Sequence, residues 1–291
     1  MMKGRILSRI AVIAIFTAFS ATLEAQVLNS LVRTGDVASA AVSGASVAMD
    51  ATAFAVDNNA AAMVLSSGTM SAGASYSVIQ PSAVKMNLAS AAGFYKISPK
   101  LAVGADMKFL SYDPYQVVAA DGRAQDSFTP NEIAVTAGAA YSLFDGFSVG
   151  AAAKFAMMSL SPEAKANAFG IDVSAMYSAG ALTAGLNAKN IGSEMMDIRA
   201  GAAYKLSFLK AYAQGEFLSG AGVMAALGAE YSFKDMVFAR AGFHYGGETA
   251  IPTSFSVGAG VKFAGINADV CFILANKAVG TSLSFGLGYS F

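Results

Sequence analysis

Apolar and polar residues alternate along most of the chain from about residue 68 to its end. The pattern is clearest over residues 283–291, where a large apolar side chain occupies every odd position and Ser or Gly lies between. Side chains of a β-strand point alternately to its two faces, so this segment has one apolar face and one face of small residues. The alternation therefore predicts strands rather than helices.

The same pattern recurs between turn residues and predicts about fourteen strands. They span residues 68–80, 84–97, 101–113, 131–143, 147–158, 167–178, 181–190, 197–206, 208–218, 222–233, 236–246, 252–263, 265–274 and 280–291. An even number of strands is typical of an up-and-down bacterial barrel.

A β-sandwich also alternates, with its apolar face turned inward. Here the polar face is mostly Gly, Ala and Ser, and charged residues make up 13% of the chain, about half the usual share. The predicted connections alternate between very short and longer ones, with the short ones at the same end as the C-terminus. Outer-membrane barrels have short periplasmic turns and longer outer loops. The sequence therefore predicts an all-β transmembrane barrel of about 14 antiparallel strands.

The two ends of the chain predict a bacterial outer-membrane location. Leu287, Tyr289 and Phe291 form an apolar, aromatic C-terminal pattern that is typical of the closing strand of such a barrel. Residues 1–25 have a basic start and a short apolar run, as a secretory signal peptide does, and the mature chain is expected to begin near Gln26.

Residues 26–67 lack the strand pattern and are rich in Ala, Ser, Val and Gly. Since about eight strands already make a barrel that wall side chains can fill, fourteen enclose a wider lumen. We therefore expect residues 26–67 to form an N-terminal plug or hatch and residues 68–291 to form the barrel. A periplasmic extension is the alternative for residues 26–67.

This N-terminal stretch carries a motif. Its residues are Gly44, Ala45, Val47 and Ala48, followed by Asn58, Asn59 and Ala60. The motif resembles the start of the FadL superfamily, and in particular its PorV/PorQ-like branch, in which an Ala/Gly-rich stretch precedes an acidic spacer and Asn-Pro-Ala. Asn59 stands where those proteins have proline, which would fix φ.

The resemblance implies two kinds of function. PorV/PorQ-like proteins are non-enzymatic partners in the type IX protein secretion of Bacteroidetes, and FadL-like channels take up hydrophobic small molecules. The short chain favours a partner or scaffold in protein export or surface assembly. A FadL-like channel is the alternative, and a purely structural barrel is a third. Expected partners are outer-membrane lipid, other outer-membrane or secretion proteins, and a hydrophobic small molecule or lipid.

Several charged residues and the single histidine fall on the predicted inner face. They are Asp106, Lys108, Lys154, Asp172, Lys189, Arg240 and His244. Because both signs occur in near balance, we expect ion pairs that brace the wall against the plug. A selectivity lining for a charged solute would favour one sign.

Asp113 and Pro114 follow the third predicted strand. Proline cannot donate to a strand ladder, so it marks a bulge, an edge or a strand end. A lateral gate in the wall is one interpretation, and a strand that simply ends in the long loop before residue 131 is the other. Tyr112, Tyr115 and Phe128 would make that loop apolar.

No enzymatic or cofactor motif is visible in the sequence. His244 is the only histidine and is expected to face the lumen as a hydrogen-bonding residue, and Cys271 is the only cysteine. No cofactor or metal is expected. The net charge of zero also argues against a nucleic-acid partner, since such proteins bind phosphates through an excess of positive charge.

Overall fold

In a computed structural model, the chain is described over residues 29–80, 84–118, 123–246, 252–275 and 280–291. Within these ranges, fourteen antiparallel strands form a closed barrel in which β1 pairs with β16. The predicted fold class is confirmed. The predicted signal peptide and Gln26 lie outside the described residues.

The strand bounds agree with the alternation within a few residues. They are β1 (Met70–Gln80), β2 (Met86–Ser98), β3 (Leu101–Tyr112), β4 (Tyr115–Val118), β5 (Ala124–Phe128), β6 (Asn131–Phe144), β7 (Phe147–Ser159), β8 (Lys165–Ala179), β9 (Leu182–Ile191), β10 (Asp197–Leu206), β11 (Leu209–Leu218), β12 (Gly222–Phe233), β13 (Val237–Tyr245), β14 (Ser254–Phe263), β15 (Ile266–Ala275) and β16 (Thr281–Ser290). The hairpin β4–β5 lies outside the barrel sheet, and the alternation did not predict it.

The turns at one end of the barrel are very short. The turn between β6 and β7, for example, is formed by Asp145 and Gly146, and Gly146 has a φ of +76°. The C-terminal residue Phe291 lies at this same end, where its carbonyl accepts hydrogen bonds from the backbone of Thr69 and Met70. The prediction that the short turns lie at the same end as the C-terminus is therefore confirmed.

The outer surface of the barrel is apolar and has an aromatic girdle near the short turns. Six tyrosines on six strands lie there with 44–50% of their surface exposed: Tyr95, Tyr141, Tyr177, Tyr204, Tyr231 and Tyr289. Between the barrel ends the exposed side chains include the aliphatic Leu186 and Leu227 and the aromatic Phe285. An apolar band between aromatic girdles is the lipid-facing surface of an outer-membrane barrel. Within the described ranges, no helix has the length and apolarity needed to cross a bilayer.

In the part of the chain that the structure describes, four short helices lie inside the barrel. They are α1 (Asn29–Val32), α2 (Val37–Ala41), α3 (Ala55–Asn59) and α4 (Ala62–Leu65). Helix α2 contacts β13 to β16, whereas α3 contacts β2, β3, β6, β8 and β9. We call residues 29–67 the N-terminal segment, and its contacts reach wall strands around the lumen.

The small inner face of the wall allows this close packing. A methyl group on Gly150 of β7 would lie 2.7 Å from the backbone nitrogen of Ala61. One on Gly228 of β12 would lie 2.6 Å from the Cβ of Val42. Real Cβ contacts are not that short, so glycine at these positions gives the segment room to reach the wall.

Candidate functional site

The N-terminal segment is joined to the wall by a buried charge cluster centred on Asp57 of α3. Lys108 of β3 places Nζ 2.7 Å from Oδ2 of Asp57, and Lys154 of β7 places Nζ 3.1 Å from its Oδ1. Lys189 of β9 lies 3.5 Å from Oδ1. Lys154 is also 2.9 Å from Asp172 of β8. One carboxylate of the segment thus contacts three wall strands.

The cluster keeps Asp57 ionised. Burial alone would raise the pKa of the Asp57 carboxyl, but Lys108, Lys189 and Lys154 outweigh it and hold that pKa well below its ordinary value. Asp106 is also buried near these lysines, and its carboxylate oxygens have no hydrogen-bond partner among the described residues. The lysines therefore serve as counter-charges for more than one carboxylate.

Two lumen arginines each lie between two carboxylates. Arg199 is 2.6 Å from Asp197 and 3.2 Å from Glu216. Arg240 is 2.6 Å from Glu230 and 2.5 Å from Asp269. These groups are paired within the wall rather than with the segment. The lumen thus holds charges of both signs in contact, and a role in solute selection stays untested.

The first half of the predicted plug motif contacts β11. Gly44 has a φ of +79° and donates its backbone N–H to Ser39. Ala45, Val47 and Ala48 are buried. The side-chain oxygen of Gln214 accepts hydrogen bonds from the backbone of Ser46 at 3.1 Å and Val47 at 2.9 Å. The motif therefore forms a turn that is held to the wall through its backbone.

The second half, Asn58, Asn59 and Ala60, is buried as well. The Asn59 amide donates to the carbonyl of Val47 at 2.7 Å, and its oxygen accepts from the backbone of Ala61 at 3.1 Å. Asn58 donates to Asp36 at 2.7 Å. Asn59, at the position of the family's proline, thus uses its side chain to join the two halves of the motif.

Two cavities lie on either side of α2, at different depths of the same wall section. The inner cavity, of about 200 Å³, is lined by Asp36 and Val37 together with wall residues near the short turns, such as Arg240. The outer cavity, of about 160 Å³, is lined by Ser39 and Ala40 together with wall residues near the opposite ends of the strands. Helix α2 therefore separates two spaces within the lumen.

The single histidine and the single cysteine both line this part of the barrel. His244 is buried beside the outer cavity, and its Nδ1 has no hydrogen-bond partner among the described residues. Cys271 is buried against Val37, Ala40 and Ala41 of α2. Both side chains face inward, as the alternation predicts.

Asp113 and Pro114 lie beyond the end of β3. The ladder of β3 with β2 reaches Tyr112, and the ladder with β6 reaches Ser111. The backbones of Asp113 and Lys85 are hydrogen bonded. The strand thus ends where the long loop begins, and a gate at this position stays a prediction.

The loop after β3 is less apolar on its surface than the sequence predicts. Tyr112 turns inward, and its hydroxyl donates to Glu132. Tyr115 and Phe128 are in contact on the hairpin β4–β5, with ring centroids 5.9 Å apart, and Tyr115 is 41% exposed. Of the three aromatic residues, Tyr115 is exposed, whereas Tyr112 and Phe128 are partly buried, and an apolar, partner-binding loop stays a prediction.

Residues that join the segment to the wall were missing from the predicted site. Asp57, Gln214 and Asn187 are the main ones, and Asn187 donates to the carbonyl of Asn58 at 2.9 Å. Asp57 lies next to the Asn-Asn-Ala part of the motif, and this adjacency was the available signal. The two wall amides carry no comparable signal. Among the described residues, no group of three or more His, Cys, Asp or Glu side chains could hold a metal ion.

No protein-family model and no curated protein sequence matches the chain. Solved structures match it at low identity. The toluene transporter TbuX of Ralstonia pickettii is 14% identical, with 88% of this chain and 97% of that chain covered at a TM-score of 0.64. The monoaromatic hydrocarbon channel CymD is 13% identical, with 90% of this chain and 98% of that chain covered at a TM-score of 0.66.

A FadL homologue of Pseudomonas aeruginosa is 11% identical, with 89% of this chain and 98% of that chain covered at a TM-score of 0.59. At identities this low, the structural similarity establishes the fold alone. It does not support the PorV/PorQ-like branch. The chain therefore has the fold of the FadL-type outer-membrane barrels.

Proposed function

We propose that the protein is an outer-membrane channel for small hydrophobic molecules and that its N-terminal segment closes the lumen. The observation that carries this proposal is the pair of cavities on either side of α2. A solute that passed from one cavity to the other would have only this short helix and the turn after it to displace.

Helix α2 is the part of the segment best suited to move. Its apolar contacts with the wall are made by Val37, Ala40 and Ala41, and Oγ of Ser256 donates one hydrogen bond to the carbonyl of Ala41 at 2.9 Å. Burial of small side chains stabilises little, because the hydrophobic effect scales with apolar area. Helix α3, by contrast, is held by the ion pairs of Asp57. We infer that α3 is the fixed part and α2 the movable part.

The similar structures support a channel more than an export scaffold. Their names describe a toluene transporter and a monoaromatic hydrocarbon channel. Those properties belong to the named proteins. The present chain adds two spaces large enough for small molecules, so the channel function is the one that we propose.

The test is the uptake of labelled toluene by Gram-negative cells that make the protein, compared with cells that do not. Ser282→Phe places a ring into the outer cavity, which Ser282 lines. Leu283→Phe is the matched control, because Leu283 is 40% exposed on the outer face of the same strand. We expect uptake to fall with Ser282→Phe and to be unchanged with Leu283→Phe. Uptake that equals that of cells without the protein would contradict the proposal.

A partner role in protein export is the second candidate. The exposed Tyr115, which packs on the partly buried Phe128 of the hairpin β4–β5, favours it, since aromatic residues are enriched at protein interfaces. Purification in mild detergent followed by mass spectrometry tests this role. The partner role would be supported if secretion proteins co-purify in stoichiometric amounts and are lost in a Tyr115→Ser variant. If they do not co-purify, the channel function is the only candidate left.

A further inference from the structure

We propose that the outer cavity binds one ring-sized neutral molecule that carries a hydroxyl group, so that it prefers a phenol to a bare aromatic hydrocarbon. This inference rests on the proposed channel function and specifies its ligand class. The cavity measures about 160 Å³. An engineered apolar cavity of about 150 Å³ in another protein takes up one benzene ring, so the size fits a single ring.

The first reason for a hydroxyl group is His244. The imidazole is 5% exposed, and its Nδ1 has no hydrogen-bond partner among the described residues. In a neutral imidazole that donates through one nitrogen, the other nitrogen accepts. A buried acceptor without a donor is unfavourable. A ligand that donates a hydrogen bond here would satisfy it.

The second reason is the presence of unpaired donors on the same lining. The Oγ of Ser39 is fully buried, and neither it nor the Nε of Arg33 has a hydrogen-bond partner among the described residues. Both residues line the outer cavity. A hydroxyl group can donate to an acceptor and accept from a donor, whereas the methyl group of toluene can do neither.

The charges around the cavity favour a neutral ligand. Arg199 is paired with Glu216 and Asp197. Arg33 lies within the electrostatic reach of Glu132. Carboxylates therefore oppose both arginine charges of this lining, by contact at Arg199 and electrostatically at Arg33, which favours a neutral ligand over an anion.

The rest of the lining suits the apolar part of such a ligand. Ile79 and Leu88 are buried and belong to one apolar cluster, and Ile273 is partly buried against another. All three line the cavity. The lining therefore combines an apolar surface for a ring with a few groups that hydrogen bond to one substituent.

Equilibrium dialysis of the purified, detergent-solubilised protein against labelled phenol, toluene and benzoate tests the inference. Phenol and toluene have nearly the same shape, and the change in their binding ratio between the native protein and a variant isolates the hydrogen bonds of the hydroxyl group. We expect phenol to bind roughly three- to tenfold more tightly than toluene, as expected for about one net hydrogen bond. His244→Phe should remove the preference, and Ser39→Ala, a milder change, should reduce it.

Thr183→Val is the matched control, because Thr183 is buried on the lumen side, bonds to Ser178 at 3.2 Å and does not line the cavity. It should leave the preference intact. Equal binding of phenol and toluene, no binding of either, a preference that survives both variants, or benzoate binding as tight as phenol would overturn the inference. Circular dichroism establishes that each variant is folded.

Toluene uptake by cells separates this inference from the channel proposal. If cells take up toluene through the protein but dialysis shows no phenol preference, the ligand assignment is wrong and the channel stands. If uptake is absent, the channel proposal is wrong, whatever the dialysis shows.

Discussion

Lys108 of the wall lies 2.7 Å from Asp57 of the N-terminal segment, and both side chains are 2% exposed. Lys154 and Lys189 contact the same carboxylate from two other strands. A buried charge is costly unless it is paired. Asp57 therefore fixes the position of α3, while α2, which has no charged side chain, is held by apolar contacts and by the hydrogen bond from Ser256 to Ala41.

Removal of the Asp57 charge should release α3 from the wall. Asp57→Asn leaves buried lysines short of one counter-charge, and breaking a buried pair costs about 3–5 kcal/mol. We expect the segment to become sensitive to protease while the barrel remains folded. Asp50→Asn is the control: Asp50 is 84% exposed and pairs with Lys210 at 2.7 Å, so its loss should cost less than about 1 kcal/mol. Equal protease resistance of Asp57→Asn and the native protein would contradict this role.

The docking of α3 should be insensitive to mild acid. The pKa of Asp57 is lower in the docked state than in a released segment. Such a group stabilises docking above its ordinary pKa of about 3.9, and this stabilisation is lost as the pH falls through the lower, docked pKa. Hydrogen exchange of residues 55–61, corrected for intrinsic rates, should show constant protection from about pH 8 to about pH 5. A loss of protection within that range would contradict a lowered pKa of Asp57.

A large side chain at Gly150 should displace the segment. A Cβ there already meets the backbone of Ala61 at 2.7 Å, so Gly150→Leu cannot be accommodated without movement of α4 or its preceding residue. Gly215→Leu is the control, because Gly215 faces outward and its nearest neighbour to an added Cβ is 4.0 Å away. Protease sensitivity of residues 29–67 should increase in the first variant alone. Similar behaviour of the two variants would argue against close packing at Gly150.

Charges on the outer surface should destabilise the barrel according to their depth. Leu227 lies midway along β12 and is 57% exposed, whereas Phe233 ends the same strand and is 52% exposed. An arginine costs about 2–4 kcal/mol at the bilayer midplane and about 0–1 near the interface. Unfolding titrations in lipid vesicles should therefore show a larger loss for Leu227→Arg than for Phe233→Arg. An equal loss would contradict the lipid-facing assignment.

The alternation of residues was sufficient to predict the barrel because the inside and outside of its wall differ at every position. Leu283 and Phe285 are exposed, for example, and Ser284 between them is buried. The hairpin β4–β5 has no such constraint, since it lies outside the barrel sheet, and it was not predicted. Because alternate residues of a strand face the lumen, the sequence also predicted that Lys154 and Asp172 point inward.

The partners of these lumen side chains could not be predicted, because they depend on how the segment packs within the barrel. Alternation places Lys108, Lys154 and Lys189 on the inner face without indicating that they meet at Asp57. Similarly, no local pattern indicates that Gln214 binds the backbone of residues 46 and 47. These contacts join residues 51 to 168 positions apart, so they can be identified only once the fold is known.

The most direct test of the account is to lock α2 to the wall and measure toluene uptake. Cys271 of β15 packs against Ala40, so Ala40→Cys offers it a partner, and mass spectrometry verifies the disulfide. A Cys271→Ser change in the same background is the control. The account predicts that oxidation lowers uptake to that of cells without the protein and that reduction restores it. Uptake that continues unchanged through a fully cross-linked protein would contradict a route past α2.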